Sequence, residues 1–110
     1  MSIEIQNAIK EILVQIAGQY TGMSARIKEG GDQVEILQDT MRRMCRVMAL
    51  LEIARKLEPD NAEYDVMSSE ALDHYTAAAL HMRVFKATAA AETASRLTAR
   101  SNGMQKVTIH

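Results

Sequence analysis

Apolar residues recur at steps of three and four along almost the whole chain, and only two short interruptions break the pattern. Such steps return a side chain to the same side of an α-helix, whereas a half-buried strand would need strict alternation. The first series is Ile5, Ile9, Ile12, Ile16, Tyr20, Met23 and Ile27, widened by Ala8, Leu13 and Ala17. Gly18 and Gly22 fall inside it and mark where a kink or early fraying is expected. Gly30-Gly31 closes it. Asp32 then reads as an N-cap, with Glu35 three residues on as a capping-box partner. The second series, Val34, Leu37, Met41, Met44, Met48 and Leu51, steps 3-4-3-4-3, which is the a/d seam of a heptad repeat. On its far side Asp39 is spaced to pair with Arg43, and Gln38 with Arg42.

Leu57-Glu58-Pro59-Asp60-Asn61 is the second interruption. Pro59 disfavours helical geometry at Glu58, and Asn61 is placed to cap the next helix. The third series is Tyr64, Met67, Ala71, Tyr75, Ala78, Met82, Phe85 and Ala89, within a helix from Ala62 to about Arg100. Ser68-Ser69-Glu70 offers a second start. Ser101-Asn102-Gly103 reads as a C-terminal stop, which leaves 104–110 as a tail. Its weak alternation at Val107 and Ile109 allows a short strand, which with no partner strand in the chain is expected to lie along the surface.

The predicted fold is therefore all-α: an antiparallel three-helix bundle made of a long helical hairpin (helices about 3–29 and 33–58) and a long third helix (62–100). The chain reads as a single helical domain, 1–103, with a C-terminal tail, 104–110. Composition agrees, with one Pro, five Gly, eight Met and no Trp, a bias toward helix formers and away from the residues that favour sheets. A Gly-Gly link admits only an antiparallel hairpin. The third helix would outrun its neighbours by about a dozen residues at about 1.5 Å each.

This bundle carries more apolar surface than it needs. Ala77, Leu80, Val84, Ala87 and Ala91 form a second line on the third helix, about 180° from the Tyr75–Met82–Phe85 stripe at about 100° per residue. The stretch from Val47 to Ala54 is apolar nearly all round, and a helix apolar on two faces is usually sandwiched. Either the third helix breaks and folds back, or a second copy or a partner completes the core. The second alternative makes Ala77, Leu80, Val84, Ala87 and Ala91 the expected partner-binding residues.

Candidate chemistry is sparse. Glu70 and His74 lie one turn apart and could supply two metal ligands, but His81 is two turns further on, and no matching pair occurs elsewhere. A salt-bridged, half-exposed histidine pair is the expected reading. Met41, Met44 and Met48 are expected in the core, where their adaptability would also suit a partner helix. Arg42, Arg43 and Arg46 form a small basic cluster among acidic neighbours, with no aromatic platform for bases. No GxSxG, P-loop, GxGxxG, HExxH or CxxC motif occurs. No catalytic, cofactor or metal site is expected, and the chain does not read as an enzyme.

Net charge is −1, which gives no overall attraction to nucleic acid or to an anionic membrane. The lone Cys45 fits a reducing cytoplasm. The start lacks a basic region and carries Glu4 and Glu11 among apolar residues, so neither a signal peptide nor a membrane span is expected. A cytoplasmic location is the expectation, with secretion by a route needing no cleaved signal left open.

Two short resemblances bear on function. The segment from Ile53 to Glu63 resembles the end of a tetratricopeptide repeat, but that repeat's small and Gly positions would fall on Gln38 and Glu35, inside the heptad run. It reads as a general helix stop. A long helix, a Pro-Asp-Asn turn and then Leu72-x-x-Tyr75 is similar, over about twenty residues, to needle subunits of type III secretion systems. That resemblance implies a helical secretion component or its dedicated chaperone, and it assigns no family. The leading expectation is a non-enzymatic helical protein–protein interaction module, a small homo-oligomeric adaptor or chaperone-like protein. Its partner would be itself or another helical protein. The alternatives are a component or chaperone of a bacterial secretion system, and a small nucleic-acid-binding regulator that uses the arginine cluster.

Overall fold

The computed structural model describes residues 2–109, with side chains described for residues 2–100. It contains three helices: α1 (Ile3–Glu29), α2 (Gln33–Leu57) and α3 (Glu63–Ile109). Each start is capped as its sequence dictates. The Ser2 hydroxyl accepts from the Ile5 N–H at 3.2 Å, the Asp32 carboxylate from Val34 N–H at 2.9 Å, and the Asn61 amide oxygen from Glu63 N–H at 3.0 Å. Each satisfies a backbone donor that a helix start leaves unpaired. Gly30 and Gly31 reverse the chain at φ 77° and 108°, a region costly for any residue with a Cβ. Pro59 stops α2 at Leu57, and Glu58 leaves helical geometry at φ −138°.

Several local expectations give way. Glu35 does not close a capping box in return, because Arg26 of α1 takes its carboxylate at 3.4 Å. α1 runs unbroken through Gly18 and Gly22. α3 does not restart at Ser68, nor does it break and fold back. It also passes Ser101-Asn102-Gly103, the expected stop, and continues to Ile109. One glycine within a helix costs only about 1 kcal/mol, and the neighbouring Met104, Gln105 and Lys106 favour helix. The further expectation that the tail lies along the surface concerns side chains outside the described residues.

α2 is the central element. α1 and α3 each pack along it, while their own backbones do not come together. Across the antiparallel hairpin Arg43 reaches Gln19 at 3.4 Å. At the other flank Arg55 binds Asp65 at 2.9 Å and the Ser68 hydroxyl at 3.3 Å. The shared core is a wedge of Ile12, Ile16, Met23, Met44, Val47, Leu51, Ala54, Tyr64 and Ala71. Leu37, Met44 and Leu51 of the heptad seam are buried, and Val34, Met41 and Met48 are half-buried. The broad apolar face of α2 is thus covered mainly from within the chain. Of the apolar residues in the Val47–Ala54 stretch, Ala49 and Ile53 remain exposed.

Asp39, expected on the solvent side of α2, is instead buried, because α1 lies against that flank. Its two oxygens accept from Arg42 Nη2 and Arg43 Nε, each at 2.7 Å. Arg42 therefore pairs with Asp39 and not with Gln38. The Arg43 guanidinium lies over Gly22, where a Cβ would overlap it, so the glycine gives this side chain its room. Burial pushes the Asp39 carboxyl upward, but the hydrogen bonds from Arg43 and Arg42 outweigh it and hold the group below its ordinary value. A lowered folded-state pKa stabilises the fold above the ordinary carboxylate range. That contribution is lost as pH falls through the folded value. In Asp39→Asn the decline of stability below about pH 4 should be shallower than in the parent, as followed by urea midpoints across pH. An unchanged acid limb would mean that the pair does not act on folding.

Candidate interaction surface

The core ends before α3 does. Tyr64, Ala71 and Ala78 are buried against α2, Met82 is half-buried, and from Arg83 to Arg100 every residue is exposed. Phe85 and Ala89, expected to continue the core stripe, are therefore outside it. The reason is geometric: running antiparallel from Leu57, α2 begins at Gln33, level with this part of α3, and offers little beyond that level. The expected stripe on α1 also ends early, with Ile27 exposed, while Leu13 and Ala17, read as widening it, face solvent.

An open groove of about 730 Å³ lies where the helices part, between Gln33 and Leu37 of α2 and the α3 segment from Leu80 to Glu92. A second cleft of about 460 Å³ adjoins it, lined by Met23 and Ile27 of α1, Ile36 and Leu37 of α2, and Ala77 and His81 of α3. Gln33, Leu37 and His81 border both, so the two form one trough. Leu80 is 56% exposed, Val84 58% and Phe85 45%. The five residues singled out in the sequence, Ala77, Leu80, Val84, Ala87 and Ala91, are all exposed. Leu80 and Val84 rim the trough, with Phe85 and Ala89 beside them on the same wall. Phe85 is the main residue that periodicity misassigned. The signal that could have placed it was the length of α3 measured against the start of α2.

The remaining candidates come out differently. Arg42 and Arg43 both engage Asp39, which removes much of the charge that the cluster offered to an anion and leaves Arg46 exposed on its own. His74 sets its ring edge-on to Tyr20, with centroids 5.9 Å apart, the one aromatic bridge between α1 and α3 among the described residues. Burial and then the nearby Glu70 carboxylate push the Tyr20 phenol upward. Among the described residues no three His, Cys, Asp or Glu side chains gather in a geometry that could hold a metal. Cys45 is exposed. No described helix is long and apolar enough to cross a membrane.

The fold and this surface define an all-α chain in which a central helix is flanked by two others, one of them far longer than its partners. Compared with known proteins, the chain matches no family model, no curated protein and no solved structure.

Proposed function

We propose that this chain is a non-enzymatic helix-docking protein, a small adaptor or chaperone-like module that completes its fold against another helix along the Leu80–Val84–Phe85 surface. The observation that carries the reading is the run of large apolar side chains left uncovered on α3 beside a trough open to solvent. Contiguous apolar surface of this kind marks an interaction site more often than scattered single residues do. Size points the same way. The radius of gyration is 22.4 Å, against about 13 Å for a compact chain of this length. A trough with apolar anchors at successive turns suits an amphipathic helix, which presents side chains at the same spacing.

The test is the double substitution Leu80→Glu with Val84→Glu. Docking would force two carboxylates into an apolar contact without counter-charges, a cost of several kcal/mol. The assembly, homomeric or with a stoichiometric partner reconstituted by co-expression, should weaken by at least about 100-fold. Helix content should hold, because neither side chain is in the core. Native mass spectrometry and sedimentation of parent and variant read this out. A parent that stays monomeric and forms no stoichiometric complex with any co-expressed chain would sink the proposal.

A further inference from the structure

We infer that the helix docked on α3 is acidic: an amphipathic segment of a partner protein whose apolar side chains sit against Phe85 and Ala89 and whose carboxylates meet Arg96 and Arg100. This rests on the helix-docking reading and names the chemistry of the occupant. The first observation is where the inner stripe of α3 changes character. The stripe that packs on α2 from Tyr64 to Met82 continues on the same side through Phe85, Ala89, Thr93, Arg96 and Arg100, all within about 80° of one another at about 100° per residue. It holds no charged residue before Arg96. Lys86 lies along one edge and Glu92 along the other, so the flanking charges offset each other and the two arginines set the sign of the face.

The second observation is continuity with the trough. Phe85, Ala89 and Glu92 line it, and Arg96 and Arg100 follow about 16 and 22 Å along the axis from Phe85 at about 1.5 Å per residue. Both are exposed and lie past the start of α2 at Gln33. A helix seated in the trough and running on along α3, in the line that α2 leaves vacant, passes over both. The third observation is charge pairing. Arg26, Arg42, Arg43 and Arg55 each bind a carboxylate of this chain. No ion pair reaches Lys86, Arg96 or Arg100 among the described residues, and residues 101–110 contain no Asp or Glu. The helix dipole favours cations only in the last turn, and α3 runs to Ile109, so it accounts for neither arginine. A guanidinium fork matches a carboxylate through two parallel hydrogen bonds. Phosphates would engage the arginines as well, but they would leave Phe85 and the trough uncovered, which favours an acidic helix over a nucleic acid.

The test uses two fluorescent helical peptides with leucine along one face, one carrying glutamate and the other lysine beside it. Each is titrated into the parent and into Arg96→Glu with Arg100→Glu, whose helix content should hold because both side chains are exposed. The parent should bind the glutamate peptide at least about tenfold more tightly than the lysine peptide, and the preference should narrow as salt rises. The double reversal should invert it. Arg46→Glu with Arg83→Glu changes net charge by the same amount away from this face and should leave the preference in place. A parent that binds the glutamate peptide no more tightly than the lysine peptide overturns the acidic partner, as does a preference that survives the reversal or is lost equally in the control. Duplex DNA that binds more tightly than the glutamate peptide, and is lost on the same reversal, would make the arginines a phosphate site and also overturn it. If both peptides bind the parent equally and both are lost on Leu80→Glu with Val84→Glu, the helix-docking reading stands and only the partner's charge is overturned.

Discussion

Leu51→Ala is expected to destabilise the chain by about 2–5 kcal/mol, and Met44→Ala by a similar amount. Both side chains are wholly removed from solvent at the centre of the wedge that α1, α2 and α3 share. Truncation loses the transfer free energy of the deleted groups and leaves a cavity that the three packed helices can fill only in part. A domain of this size has about 5–15 kcal/mol in total, so either change removes a large share. Arg42→Ala is the control. Its side chain is 62% exposed although it pairs with Asp39, and exposed pairs contribute about 0–1 kcal/mol. Urea unfolding, with midpoints compared at unchanged slope, reads all three. Equal small losses at the three sites would mean that the heptad seam is not the core.

Tyr64→Ala should be at least as damaging, at about 3–5 kcal/mol, because the ring is 2% exposed at the start of α3 and joins that helix to the core. Tyr64→Phe separates the ring from its hydroxyl. It keeps the apolar contact and loses only the hydrogen bond that the phenol donates to Glu58 Oε1 at 2.6 Å, so it should cost far less than the alanine. The hydroxyl also predicts a pH signature. Burial first, and then the bond to Glu58, push the Tyr64 phenol up to about 12. A raised folded-state pKa stabilises the fold fully below the ordinary tyrosine value and progressively less as pH climbs through the folded value. Stability of the parent should therefore decline between about pH 10 and 12, and Tyr64→Phe should decline less over that window. Parallel curves for the two proteins would show that the hydroxyl is not linked to folding. The Glu58 carboxyl, held low chiefly by the same bond from Tyr64 and secondly by Asn61, is the other side of this contact.

Tyr64 also shows where sequence reasoning stops. Its place on the inner stripe of α3 is legible from the spacing with Met67 and Ala71, but nothing local says that its hydroxyl meets the residue that ends α2. The same division holds for the docking surface. Ala77, Leu80, Val84, Ala87 and Ala91 are readable as an unpartnered line because periodicity compares a helix only with itself. Phe85 and Ala89 are not readable as exposed, because their exposure depends on where another helix begins.

The sequence by itself determined the elements: three helices, the Gly30-Gly31 and Pro59 breaks, the caps at Asp32 and Asn61, the heptad seam, and the Asp39–Arg43 pair. These follow from rules that act within a few residues, namely the 3.6-residue period, the hydrogen bonds a helix end leaves unpaired, and the fixed φ of proline. Only the tertiary structure decided that α2 is the central helix, that its broad apolar face is covered by α1 and α3, and that Asp39 is buried. It alone turned Glu35 toward Arg26 and left α3 bare beyond Met82. Those outcomes depend on which flank of one helix meets which flank of another and at what level. Contacts between residues far apart in the chain fix this, and a periodic pattern within each helix carries no information about them.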